Sequence, residues 1–296
     1  MTRISGFLAL VTVLLVACDS RPVSAPVVIY APAADEAQLS KRFLAFTADT
    51  GIPVLAEFMA GGAGADRVVA NEGSRKADVL MTDNVADIWR AADEGALRPI
   101  RSAALKTVPA VLRDADAFWI AVRYRSVVIA VADDAANFEA PDLLRLASPE
   151  LKGKVCLLGH EQHLSRALIG MLIDELDSKP AERLVRGWVR NLARSPFDSE
   201  AALAAALESG ECEYGILSDA AVGDVAGAKA LPTPYYDIDA VGIGRHAGNA
   251  DAAQVFVDWI ISEGASQLPI TSTIPVAVAG WRDEEAQLLA ERAGYR

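Results

Sequence analysis

Apolar positions along this chain alternate between short β-branched runs and helical spacings. Residues 27–30 (Val-Val-Ile-Tyr) form a compact apolar run that reads as a strand. Residues 33–50 then place Leu39, Phe43, Leu44 and Phe46 at three- and four-residue intervals, which predicts a helix ended by Gly51. The same cycle repeats twice. Residues 52–58 predict a strand, Gly61 to Gly64 a glycine-rich turn before a further helix, 77–81 a strand, and 85–94 a helix stopped by Gly95. Residues 117–132 are long and apolar, interrupted by Arg123 and Arg125. A second series begins at 155–158 with another strand. Helices follow over 165–175, 180–191 and 200–209, the last alanine-rich and closed by Gly210. Short strands over 214–217 and 241–244 and amphipathic helices over 250–262 and 284–293 complete the pattern. Strands alternating with helices give βαβ units and a mostly parallel sheet. No internal repeat or low-complexity tract breaks the order.

The first residues follow a different pattern. Arg3 supplies a positive end, residues 7–16 an apolar stretch, and Leu15-Val16-Ala17-Cys18 a small residue before a cysteine. The run is too short to span a bilayer permanently. It reads as a lipoprotein signal, with cleavage before Cys18 and lipidation there; an ordinary secretory signal or a buried helix is the alternative. Residues 20–26 form a polar, proline-marked tether. The expected compartment is therefore the periplasm, with a lipid anchor at Cys18. Asp19 resembles the residue that retains such proteins at the inner membrane.

Length and charge narrow the picture further. A chain of 296 residues exceeds what one hydrophobic core usually serves, which predicts two lobes. The net charge of −12 sets nucleic-acid binding aside, because that class carries a basic face. Cys156 and Cys212 remain after Cys18. In an oxidising compartment they either form a disulfide or stay as two buried thiols. Both lie at or just before strands that flank one helical segment, so they are expected near one another. Neither cysteine has metal-type spacing.

Several ordered segments resemble the periplasmic substrate-binding proteins of the ferric-ion, thiamine and polyamine importer group. They are Val28-Ile29-Tyr30-Ala31-Pro32, Phe46 through Val54, and Lys76-Ala77-Asp78-Val79 followed by Thr82-Asp83. Further on come Leu151-Lys152-Gly153-Lys154-Val155, Ala240 to Ile243 with Gly248 through Ser262, and Thr271 to Val276. The resemblance implies an α/β, two-lobe periplasmic-binding-protein fold: two mixed, mostly parallel sheets with flanking helices, joined by two crossover strands near 127–132 and 237–244. Lobe 1 would comprise 26–127 and 241–280, lobe 2 residues 128–240, and the C-terminal helix 281–296. A ligand cleft would lie between the lobes and close about the hinge.

Ferric members of that group typically use a histidine in the first loop, an acid after the third strand and two adjacent tyrosines in the second lobe. Here the first loop, Ala31 to Asp35, has no histidine. Asp83 keeps the acid. The tyrosine position reads Ser218-Asp219-Ala220-Ala221, and Tyr235-Tyr236 falls too late. The metal, if any, is left undetermined. The expected ligand-binding set is Tyr30 and Asp83 from the first lobe and His160, Ser218 and Asp219 from the second, since all follow or end predicted strands. Asp83 and Asp219 could instead cap helices. His160 and His163, three apart, could share a helical face as soft metal ligands or simply begin a helix. Gly61 to Gly64 lacks the Lys-Ser/Thr of a nucleotide loop and reads as a turn. Trp119, Tyr124, Tyr235 and Tyr236 could wall a pocket or pack the core.

The function expected is an extracytoplasmic solute receptor. It would act as a monomer that binds a small molecule or ion complex and delivers it to an ABC permease in the inner membrane. It needs no cofactor, and it is not an enzyme: neither Gly-x-Ser-x-Gly nor His-Glu-x-x-His is present. The alternatives are a ligand-sensing or accessory lipoprotein on the same fold, and ferric-ion or metal-complex binding through a non-standard site.

Overall fold

In the computed structural model, the described residues are 25–132, 142–223, 225–264, 268, 270 and 272–296; Cys18 and the signal segment lie outside them. Among the described residues no helix is long and apolar enough to cross a membrane.

Strand β1 (Val27–Pro32) lies between parallel β2 (Val54–Met59) and β3 (Val79–Thr82). Helices α1 (Glu36–Thr50), α2 (Ala63–Val69), α3 (Val85–Asp93) and α8 (Ala250–Ser262) flank this half. Phe43, Phe46, Phe58, Phe256 and Trp259 pack into one aromatic cluster there, with Phe46 and Phe256 edge to face at 5.1 Å. The other half holds β6 (Val155–Leu157) parallel to β7 (Tyr214–Ser218), with α4 (His163–Leu176), α5 (Ser178–Arg190), α6 (Glu200–Glu208) and the short α7 (Asp219–Val222).

Two long strands join the halves: β5 (Trp119–Val131) and β8 (Lys229–Gly244), antiparallel to each other along most of their length. Near its C-terminal end β8 pairs with β3 and with β4 (Leu97–Arg98), whereas β5 pairs with β7 over Val127 to Val131. The two half-sheets expected from the sequence are therefore hydrogen-bonded as one sheet, ordered β2-β1-β3-β8-β5-β7-β6. The segments that cross between lobes are 122–126 and 235–239, earlier than expected in each strand. Register shifts between Ala121 and Arg123 and between Ser126 and Val128 bracket the crossing. Such bulges let a continuous strand bend where two lobes meet.

The pattern at 241–244 predicted a short strand; it is the end of a sixteen-residue strand. Pro232 and Pro234 fall in the part of it before that segment. They are tolerated because the part of β8 around them has no second neighbour in the sheet, so the missing N–H groups break no ladder.

Past α8 the chain returns to both halves. Helix α9 (Ala277–Trp281) packs on α3 of the first lobe and on α4 of the second. Gly280 lies so close to Trp89 that an added Cβ would overlap the indole, and Gly170 of α4 faces the backbone of Ala279. Helix α10 (Asp283–Ala293) then packs on α4 and α5. Cys156 and Cys212 are bonded as a disulfide, with Cα atoms 5.9 Å apart. It ties β6 to the residues leading into β7.

Candidate functional site

The crossing segments carry charge that the hydrophobic pattern alone does not explain. Arg123 and Arg125 alternate along β5 and therefore share a face. Their direct cross-strand partners on β8 are Asp239 and Asp237. The Arg125 guanidinium donates to Asp239 Oδ1 at 2.7 Å and to the Asp83 carbonyl at 2.5 Å, and stands 3.4 Å from Asp237 Oδ2. Arg123 pairs with Asp239 and, at 3.0 Å, with Asp35 in the loop after β1. Asp237, almost fully buried, also accepts from its own chain at Ile238 (2.8 Å) and from the first amide of α3, Val85 (3.2 Å). Burial pushes the Asp239 carboxyl above the ordinary carboxylate range, against the pull of Arg125 and Arg123. The crossing is thus a ladder of ion pairs, its Asp237 and Asp239 carboxylates buried and its arginines half-buried, tied to both the first loop and the loop after β3.

Above that ladder the lobes meet. Asn84 caps α3, its Oδ1 accepting from the Asp87 amide at 2.9 Å. Its Nδ2 lies 2.9 Å from Asp83 Oδ1, 2.8 Å from Asp87 Oδ2 and 3.3 Å from Nε2 of His163, the first residue of α4 across the cleft. Asp83, Asp87 and His163 offer ligand atoms that all lie within 4.8 Å of one another. The other nitrogen of His163, Nδ1, is 3.0 Å from Arg166 Nη2, and Arg166 Nε is 2.9 Å from Asp283 at the start of α10. Burial raises the Asp283 carboxyl, while Arg166 and His163 lower it. Gly62, before α2, faces the Asp87 carboxylate, with 2.8 Å between Oδ1 and the position of an added Cβ. Around the ladder and the cluster the acids Asp35, Asp83, Asp87, Asp237, Asp239 and Asp283 face the bases Arg90, Arg123, Arg125 and Arg166, with Arg90 3.2 Å from Asp87 Oδ1.

Of the residues expected to hold ligand, only Asp83 lies in this cluster. It does not cap the helix, since Asn84 does. Tyr30 is a core residue: its hydroxyl donates to the Arg75 carbonyl at 2.5 Å and the Arg67 guanidinium sits 5.5 Å over its ring. It was expected in the cleft because it ends an apolar run, yet β1 continues to Pro32, so Tyr30 stays within the strand. His160 sits in the turn before α4, 3.3 Å from Glu161 and beside Tyr295, and does not reach Asp83. Ser218 is buried and spent on structure. Its hydroxyl caps α7 by accepting from Ala221, and its amide donates to Glu200 at 2.5 Å. Asp219 begins α7, exposed, and its charge helps raise the Tyr124 phenol after burial.

The aromatic candidates are committed elsewhere. Tyr235 and Tyr236 project to opposite faces of β8, as neighbours in a strand must. The Tyr235 hydroxyl donates to Glu175 and that of Tyr236 to the carbonyls of Val111 and Ile274. Tyr124 packs on Tyr236 at 5.1 Å and Trp119 is fully buried. Sequence reading weighed His163 but left it out of the expected set. It also passed over Asn84, Asp87, Asp237 and Asp239. The legible signal for the last two was the matched two-residue spacing of Arg123/Arg125 and Asp237/Asp239 on crossing strands.

Two α/β lobes joined by two crossing strands, with polar groups of both lobes meeting above the crossing, define the bilobal architecture of the type II periplasmic binding proteins. Known proteins bear this out. The chain is 25% identical over 267 residues to Iron uptake protein A1 of Synechocystis sp., covering 80% of this chain and 74% of that one. It superposes on the apo ferric ion-binding protein A of Pasteurella haemolytica with a TM-score of 0.81 at 22% identity, over 92% of this chain and 98% of the other. A Trichodesmium protein in complex with iron and citrate gives a TM-score of 0.80 at 23% identity, over 92% of this chain and all of that one. No family model matches the chain. The resemblance to the ferric-ion importer group therefore holds: the relatives are iron uptake and ferric-ion-binding proteins.

Proposed function

We propose that this protein is an extracytoplasmic solute receptor. It captures a cationic or metal-containing ligand between its lobes and presents it to an ABC permease in the inner membrane while tethered through lipid at Cys18. The observation that carries the reading is the convergence of Asp83 and Asp87 from the first lobe with His163 from the second, directly over the crossing strands. A ligand shifts the balance of open and closed forms only by its differential affinity for the two. Groups on both sides of the cleft supply that difference, because their full set assembles only on closure. No bond needs to be made or broken for this work. The kinship to iron uptake proteins supports an iron-containing ligand. The lack of a paired-tyrosine site in the second lobe supports a coordination unlike the one typical of ferric members.

Thermal-shift measurements on the mature protein against ferric citrate, divalent metals, polyamines and thiamine test the assignment. A ligand that binds the folded state raises the melting temperature by mass action. A rise with a metal or ferric complex, weakened in Asp83→Asn, is expected. A rise with thiamine alone, unchanged in Asp83→Asn, would overturn the ligand class.

A further inference from the structure

Helix α5 differs from the rest of the chain in charge. Its residues, Ser178–Arg190, hold four bases and one acid, a net charge of +3 in a chain that carries −12. Helices α6 and α8 carry acids and no lysine or arginine. At about 100° per residue, Lys179, Arg183, Arg186 and Arg190 fall within about 60° of one another around the axis. All four are exposed, and they form a row about 16 Å long. The opposite face, with Leu184, Val185 and Trp188, is buried. Glu182 is already shared, its Oε1 with Arg186 at 2.6 Å and its Oε2 with Arg292 of α10 at 3.2 Å. Among the described residues, no ion pair or side-chain hydrogen bond holds Lys179, Arg183 or Arg190. Folding does not account for this row. Lys179 and Arg183, like Arg186 and Arg190, are equal charges four residues apart, a spacing that destabilises a helix slightly. The helix dipole favours Arg190 in the last turn but disfavours Lys179 in the first. Ligand capture does not account for it either. Among the described residues, no hydrogen bond or ion pair ties the row to the crossing strands or to the inter-lobe cluster.

We infer that this face of α5 docks on an anionic phospholipid surface and sets which side of the tethered receptor turns to the membrane. The four cations spread along a convex helix instead of converging, so they suit an extended anionic surface and not a small anion. Acidic headgroups attract each nearby lysine or arginine strongly enough for about a fivefold gain in affinity. The acids elsewhere on the chain oppose this little, because screening at physiological salt confines the interaction to about 8 Å. The apolar residues of α5 are buried in the core, so the contact is electrostatic and nothing of the helix inserts into the bilayer. Such a contact is weak for a protein free in solution. The inference takes the lipid tether from the receptor reading and nothing from its ligand. Residues 19–25, fully extended, reach about 25 Å at most. An anchor on that length of chain keeps the row at high effective concentration near the headgroups.

The test uses the mature chain without acylation, so its outcome does not depend on the anchor. Sedimentation at low salt with vesicles of equal parts phosphatidylglycerol and phosphatidylcholine should carry the wild type down. Vesicles of phosphatidylcholine alone should not. Binding should vanish as ionic strength approaches about 1 M, where screening leaves a range of about 3 Å. Lys179→Gln/Arg183→Gln/Arg190→Gln should lower vesicle affinity by about a hundredfold. Removing three exposed cations of the first lobe, in Arg75→Gln/Arg101→Gln/Lys106→Gln, should leave affinity at the wild-type level, because position rather than net charge decides. Lys179→Arg/Arg183→Lys/Arg190→Lys keeps the charges and should bind as the wild type does. Circular dichroism melts check that all three variants fold. A wild type that stays in the supernatant with phosphatidylglycerol, or equal losses in the two glutamine variants, would overturn the inference. If the wild type ignores the vesicles while the α5 glutamine variant loses transport in cells, the face belongs to an acidic protein partner and the lipid assignment is wrong.

Discussion

Replacing Arg125 with methionine probes whether the hinge is built on buried ions. The substitution keeps the aliphatic stem, which covers apolar surface, and deletes the charge. Arg125 has about a fifth of its side chain exposed and holds Asp239 at 2.7 Å, Asp237 at 3.4 Å and the Asp83 carbonyl. Removing one partner of a buried pair costs about 3–5 kcal/mol, because the remaining charge is left uncompensated. Here each carboxylate keeps something: Asp237 retains the Val85 and Ile238 amides, and Asp239 retains Arg123. That places the loss near the lower end, about 3 kcal/mol. Since β5 and β8 run through both lobes, the loss should shift the whole unfolding transition.

The deficit should also depend on pH. Asp239 already titrates above the ordinary range because of burial, and Arg125 is the largest influence holding it down. Without Arg125 its folded-state pKa rises further above the unfolded value of about 4. A carboxyl that binds its proton more tightly when folded loses stability as pH climbs through the folded pKa and regains it as pH falls. Urea unfolding followed by tryptophan fluorescence should therefore show a smaller deficit at pH 5 than at pH 7.5. A loss below about 1 kcal/mol at pH 7.5, or an equal loss at both values, would refute the reasoning. Arg125→Lys should fall between, because an ammonium keeps the charge but not the fork that spans Asp237, Asp239 and the Asp83 carbonyl.

Reducing the Cys156–Cys212 disulfide, which spans a sequence separation of 56, should cost about 4 kcal/mol by loop-closure entropy; an unchanged urea midpoint after reduction would contradict it. All six tyrosines are held above their ordinary pKa, chiefly by burial. Their contribution to stability is present below about pH 10 and lost above it, so tyrosinate absorbance should rise together with alkaline unfolding. A phenol that titrates near pH 10 in the folded protein would count against this packing. Cys18→Ala should abolish partitioning of the expressed protein into detergent; a wild type that stays in the aqueous phase would remove the lipid anchor.

The strands and helices of the first lobe were readable because each is short and its apolar face is regular, as in α1, where Leu39, Phe43 and Phe46 are the buried positions. The continuous sheet was not. Whether β5 and β8 end at the lobe boundary or pass through it depends on cross-strand pairing, which local periodicity does not encode. The site was half legible. Asp83 was expected because it follows a strand, and it lies in the cluster. Tyr30, His160 and Ser218 share that position in the sequence, but internal hydrogen bonds or neighbouring side chains claim them. His163 was passed over because its partner Asn84 lies in the other lobe, 79 residues away. Arg123 and Arg125 stood out as charges within an apolar run, and their meaning required the facing Asp237 and Asp239 on the return strand.

Small-angle X-ray scattering on the mature protein, with and without saturating ferric citrate or Zn²⁺, tests the central claim most directly. A receptor that closes on ligand through groups of both lobes should lose radius of gyration on saturation. The Asp83→Asn/His163→Gln double variant should not compact. Ligand binding without any change in the wild type, or equal compaction in the double variant, would contradict the account.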